Sequence, residues 1–127
     1  MSSRRVFAGL FVMIVALAGF GRAAEATDVT GTWNFSVDLS DGGHGDPTFV
    51  FTQDKEVLTG SYDGPLGQLK VKGTVMDNKA TFGFDFTTDD GVKHTATYTG
   101  VIESAKKMSG TVQFTEGPSG RWTAAKL

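Results

Sequence analysis

Residues 80 to 87 read Ala-Thr-Phe-Gly-Phe-Asp-Phe-Thr, and apolar and polar positions trade places at every step. Successive side chains of an extended strand point to opposite faces. Period two therefore sets Ala80, Phe82, Phe84 and Phe86 on one face and Thr81, Gly83, Asp85 and Thr87 on the other. The three-to-four spacing of an amphipathic helix is absent from residue 27 onward. The alternation recurs along the chain, at Trp33, Phe35, Val37 and Leu39, then at Phe49 and Phe51, then at Leu58, Gly60 and Tyr62. It continues at Leu69, Val71, Gly73 and Val75, at Val92, His94, Ala96 and Tyr98, at Met108, Gly110, Val112 and Phe114, and at Trp122 and Ala124. Turn-forming residues separate these runs: the glycine-rich stretch 41–47, Asp54-Lys55-Glu56, Asp63-Gly64-Pro65, Asp77-Asn78, Asp90-Gly91, 104–107 and Glu116-Gly117-Pro118.

Eight strands joined by short turns predict consecutive antiparallel neighbours. Left open, such a sheet would expose two edges and an apolar face; closure removes both problems. The expected fold is all-β, an eight-stranded antiparallel up-and-down barrel. An eight-stranded interior is just wide enough to be filled by side chains or to hold one small ligand. Three runs share the order apolar, polar, Gly, Ser or Thr, apolar: residues 58–62, 71–75 and 108–112. Glycine inside a strand marks a bend or a close approach, so Gly60, Gly73 and Gly110 predict a strongly coiled wall.

A targeting segment is expected ahead of the barrel. Arg4-Arg5 precede an apolar run of about 15 residues, short of the roughly 20 that span a membrane. Ala24-Glu25-Ala26 offers a small-x-small cleavage site, which makes 1–26 a cleavable signal peptide and 27–127 one barrel domain in the periplasm or outside the cell. Ser3-Arg4-Arg5-Val6-Phe7 resembles the twin-arginine export signature, while the long apolar run suits the general secretory route; both routes stay open. Cleavage would remove three of the 12 basic and one of the 14 acidic side chains, leaving 9 against 13 and a net charge of −4. With no basic stripe, nucleic acid is not an expected partner, and with no basic amphipathic helix neither is a membrane after signal removal. There is no cysteine, so burial alone must hold the fold. The domain keeps seven phenylalanines and both tryptophans, an ample core at roughly 1.5–3 kcal/mol per buried Phe.

Gly31-Thr32-Trp33 opening the meander resembles the calycin superfamily of lipocalins, fatty-acid-binding proteins and avidins. The lipocalin pattern implies an arginine packed over that tryptophan, a role that would fall to Arg121, next to Trp122. Avidins and streptavidins are the nearer resemblance, through Gly31-Thr32-Trp33 and Leu58-Thr59-Gly60-Ser61-Tyr62. Tyr62 matches their ligand-binding tyrosine, but Gly64 stands where a serine would follow, and the pocket tryptophans and late aspartate have no counterparts. Tight biotin binding is therefore not expected. The chain is similar as well to short barrel domains of secreted bacterial proteins, which implies a fold and no chemistry.

Strand parity turns His94 inward, where an imidazole can serve as acid, base or hydrogen-bonding group. Tyr62, Tyr98 and Phe84 share that face and join it as expected ligand-binding residues. His44 lies between Asp41 and Asp46 in the glycine-rich loop, an arrangement open to a divalent cation but matching no metal motif; a solvated lid is the expected role. No catalytic motif, no cofactor motif and no phosphate loop is present. Three readings follow. The first is an exported non-enzymatic binding protein with a small apolar or amphipathic ligand in the barrel mouth. The second is an inhibitor or interaction protein acting through its loops, and the third a small cyclase or isomerase using His94. The outward residues are mainly Thr, Lys and Asp, which predicts a monomer.

Overall fold

The computed structural model describes residues 27–127; the expected signal peptide, 1–26, lies outside the described residues. The strands are β1 (Gly31–Leu39), β2 (His44–Gly45), β3 (Thr48–Asp54), β4 (Val57–Gly64), β5 (Gly67–Met76), β6 (Lys79–Thr87), β7 (Lys93–Ser104), β8 (Lys107–Phe114) and β9 (Ser119–Lys126). Every adjacent pair is antiparallel, and β1 pairs with β9 from Trp33↔Lys126 to Leu39↔Gly120. That seam closes the sheet, so eight long strands form the expected up-and-down barrel. The two-residue β2 is an addition. Pro47 interrupts the β1 edge: below it β1 pairs with β3 up to Asn34↔Thr48, and above it with β2 through Val37↔Gly45 and Asp38↔His44.

Alternation and burial agree along most of the wall. On β6, Ala80, Phe82 and Phe84 are buried while Thr81 and Asp85 are exposed. Aromatic rings fill the middle of the barrel. Phe35 lies 4.2 Å from Phe49 and stacks on Trp122 at 4.9 Å. Phe82 stacks on Tyr98 at 5.2 Å and meets Phe51 edge-on at 5.0 Å. Each such pair adds about 0.5–1.5 kcal/mol to the burial of its rings.

The floor is the end where β1 begins and β9 finishes. Trp33 is wholly buried there, and the preceding Val29 is buried with it. The three repeat glycines sit where a neighbouring strand comes too close for a side chain. A Cβ at Gly60 would collide with the carbonyl oxygen of Val50, one at Gly73 with that of Thr81, and one at Gly110 with that of Thr99.

Val92 and Arg121 lie elsewhere than their sequence context predicts. Val92 is 45% exposed and precedes β7, because the Thr88–Val92 loop closes on itself through Thr88 N to Val92 O and Gly91 N to Thr88 O. Arg121 does not cover Trp33. It stands exposed on the outer face, opposite Asp38, because its neighbour Trp122 takes the inward position. The cationic residue in register with Trp33 is Lys126, whose chain lies over Gly31, 2.6 Å from where a Cβ would stand.

Candidate ligand site at the barrel mouth

The opposite end is not filled. The last inward residues of the strands part around a cavity of about 360 Å³, within the usual range of small-molecule sites. Val37 and Leu39 at the end of β1, Phe86 at the end of β6 and Phe114 at the end of β8 form its apolar wall. The β4–β5 turn adds Pro65 and Leu66, and the loops around β2 and before β9 add Pro47 and Pro118. Three polar rings join them, Tyr62, Tyr98 and His94, while His44 borders the rim with its ring turned to the outer face beside Asp38.

Tyr62 is buried beneath the hairpin tip, and its hydroxyl accepts the Leu66 amide at 3.4 Å. That hairpin is tight: Gly64 pairs with Gly67, and Gly67 holds a φ of 106°, which glycine adopts without strain. Burial pushes the Tyr62 phenol up from its ordinary pKa. Tyr98 lies deeper, four residues along β7 from His94, which is about 13 Å of strand. Burial pushes its phenol up as well. Among the described residues its hydroxyl has no hydrogen-bond partner, in contrast to Tyr62 and both indoles.

His94 is half-buried at the rim. It stacks on Phe86 at 5.5 Å, and its Nδ1 donates to the Thr115 carbonyl at 3.3 Å. That bond leaves Nε2 with the lone pair in the neutral ring. Among the described residues no carboxylate bonds to His94. Phe84 is a different case. It is buried beneath the cavity, 4.4 Å from Tyr62, and supports the tyrosine without lining the space.

His44 is exposed and makes two side-chain contacts. Its Nδ1 meets Asp38 Oδ1 at 2.7 Å and its Nε2 meets Asp46 Oδ1 at 3.0 Å. The Asp38 bond, the larger cause, and the Asp46 bond both raise its pKa above the ordinary 6.5. Asp41, the other expected neighbour, instead accepts the Gly43 amide at 2.9 Å and shapes the turn. Both ring nitrogens of His44 are therefore engaged, and among the described residues no group of three His, Cys, Asp or Glu is arranged to hold a metal.

The site therefore brings together Tyr62, Tyr98 and His94 from the expected set and leaves Phe84 behind it. The lining also includes Pro47, Pro65, Leu66 and Pro118, which lie in turns and carry no alternation. Their signal in the sequence is positional: turn residues between the mouth-end strands border any opening there.

Scans against protein-family models and against curated proteins find no match for the chain. Among solved structures it is similar to a redesigned β-barrel, with a TM-score of 0.61 and 15% identity over 78% of this chain and 91% of the other. It is similar to the redesigned β-barrel mFAP1 bound to DFHBI, with a TM-score of 0.60 and 15% identity over 77% and 94%. A fluorescence-activating β-barrel designed de novo matches at a TM-score of 0.57 and 16% identity, over 80% and 96%. Among the described residues no helix is long and apolar enough to cross a membrane. At these identities the likeness is one of fold: the chain is an antiparallel β-barrel with a cavity at one mouth.

Proposed function

We propose that this chain is an exported, non-enzymatic binding protein of calycin-like type that holds one small apolar or amphipathic molecule in the mouth of its barrel. The observation that carries the reading is the cavity of about 360 Å³ walled by Leu39, Phe86, Phe114 and prolines, with the tyrosines at its base. A dominantly apolar wall with a few placed polar groups is the general composition of small-molecule sites. The similar barrel mFAP1 is a structure with DFHBI bound, which supports the same use of this fold. His44 and its two carboxylates hold the 40–47 loop at the rim of the cavity, and this favours a wall of the site over a free contact loop for a protein partner.

Native mass spectrometry of the protein purified gently from its host tests the reading. A reproducible extra mass of a few hundred daltons, lost when Leu66 and Phe114 are replaced by bulkier or charged residues, is the expected result. A bare protein mass, together with no uptake of small apolar probes, would reject it.

A further inference from the structure

The deepest polar group of the cavity is the Tyr98 hydroxyl. Tyr98 is 2% exposed, and among the described residues nothing donates to or accepts from its oxygen. Native structures pair their buried polar groups, with protein, water or ligand. The ring itself is packed on Phe82 at 5.2 Å and against Phe49 at 5.3 Å. The part of the side chain left to reach the cavity is thus its hydroxyl end. Burial keeps that phenol protonated, so it has a proton to donate.

Charge around the cavity narrows the choice of acceptor. Among the described residues its lining contains no lysine and no arginine. Glu116 stands at the rim, His44 is committed to Asp38 and Asp46, and His94 donates its Nδ1 proton to Thr115. An anion drawn down to Tyr98 would shed its water with no cation to replace it, and an isolated buried charge is strongly disfavoured. A ketone, amide or lactone oxygen takes the same hydrogen bond without that loss.

We propose that the mouth selects neutral carbonyl compounds, which enter oxygen-first and accept a hydrogen bond from the Tyr98 hydroxyl, and that it rejects carboxylates of the same shape. This inference rests on the carrier reading and adds the chemical class of the ligand.

Calorimetric titration of the full domain with three naphthalenes of matched shape tests it: 2-acetylnaphthalene, 2-ethylnaphthalene and 2-naphthoate. The ketone is expected to bind about tenfold more tightly than either of the others, the usual scale of one well-formed hydrogen bond. In Tyr98→Phe the ketone-to-hydrocarbon ratio should fall to near one. The carbonyl stretch of bound 2-acetylnaphthalene provides a check on the unaltered protein: it should move to lower wavenumber than in an apolar solvent. Equal binding of all three, tighter binding of 2-naphthoate, or an unshifted stretch would overturn the carbonyl assignment while leaving a carrier. Binding of none would overturn the carrier reading and this one with it.

Discussion

The indole N–H of Trp33 donates to the carbonyl of Val29 at 2.8 Å, and this bond turns the segment before β1 across the floor of the barrel. The Val29 amide in turn donates to the Gln53 side chain at 2.9 Å, and the Gln53 amide to the Thr30 hydroxyl at 3.0 Å. The closed end is thus a small network in which a buried indole, a buried valine and one glutamine hold each other.

Trp33→Phe should therefore cost more than the loss of ring area. It leaves the Val29 carbonyl short of a donor beside a wholly buried ring, and an unpaired buried group costs about 1–3 kcal/mol. Urea denaturation should show a midpoint lowered accordingly, with an unchanged slope. A loss under about 0.5 kcal/mol, within the usual range of surface substitutions, would mean that the floor bond contributes nothing.

Gly110→Ala and Gly60→Ala should each destabilise the barrel by about 2 kcal/mol or more, since a Cβ at either site meets a backbone carbonyl that cannot swing away. Thr59→Ala, one residue from Gly60 but exposed, should change stability by no more than about 0.5 kcal/mol. Thermal unfolding of the three variants side by side decides it. Equal melting temperatures would show that the wall relaxes where it is drawn tight.

The His44 clamp gives stability a pH dependence of known sign. Asp38 and Asp46 raise the folded-state pKa of His44 above its ordinary value of 6.5. Its contribution is therefore complete below about pH 6.5, the unfolded value, and is lost as pH rises through the raised folded value. An NMR titration should place the His44 midpoint above 6.5, and Asp38→Asn with Asp46→Asn should return it toward that value. A midpoint at or below 6.5 in the unaltered protein would contradict the clamp.

His94→Ala should be tolerated by the fold. The ring is half-buried and makes one 3.3 Å bond, so the expected loss is about 0.5–1.5 kcal/mol. Binding of 2-ethylnaphthalene should weaken, because the same substitution removes a stacking face beside Phe86. Full unfolding of the variant would mean that His94 belongs to the core and not to the rim.

What could be read from the sequence followed from the range of each signal. Alternation is local, so the inward sets on β1 and β6 and the ring-filled interior were legible residue by residue. Depth was not. Phe84 and Phe86 share one face of β6, yet Phe84 is buried under Tyr62 and Phe86 borders the cavity, because parity assigns a face and not a height. The His44 clamp was hidden for another reason. Asp38 is six residues away and comes opposite His44 only through the turn that Asp41 shapes and the break at Pro47. Arg121 failed because the family pattern supplied a role, whereas the inward seat of Trp122 fixed the facing.

The seam between β1 and β9 also sets how the chain must fold. Its partners, such as Trp33 and Lys126, lie at opposite ends of the domain, and pairings so distant in sequence slow folding because the intervening chain must first be ordered. Until β9 is in place the sheet keeps two free edges, on β1 and β8, each able to pair with another chain. Pairing of the last eight-residue strand with β1 and β8 removes both edges at once.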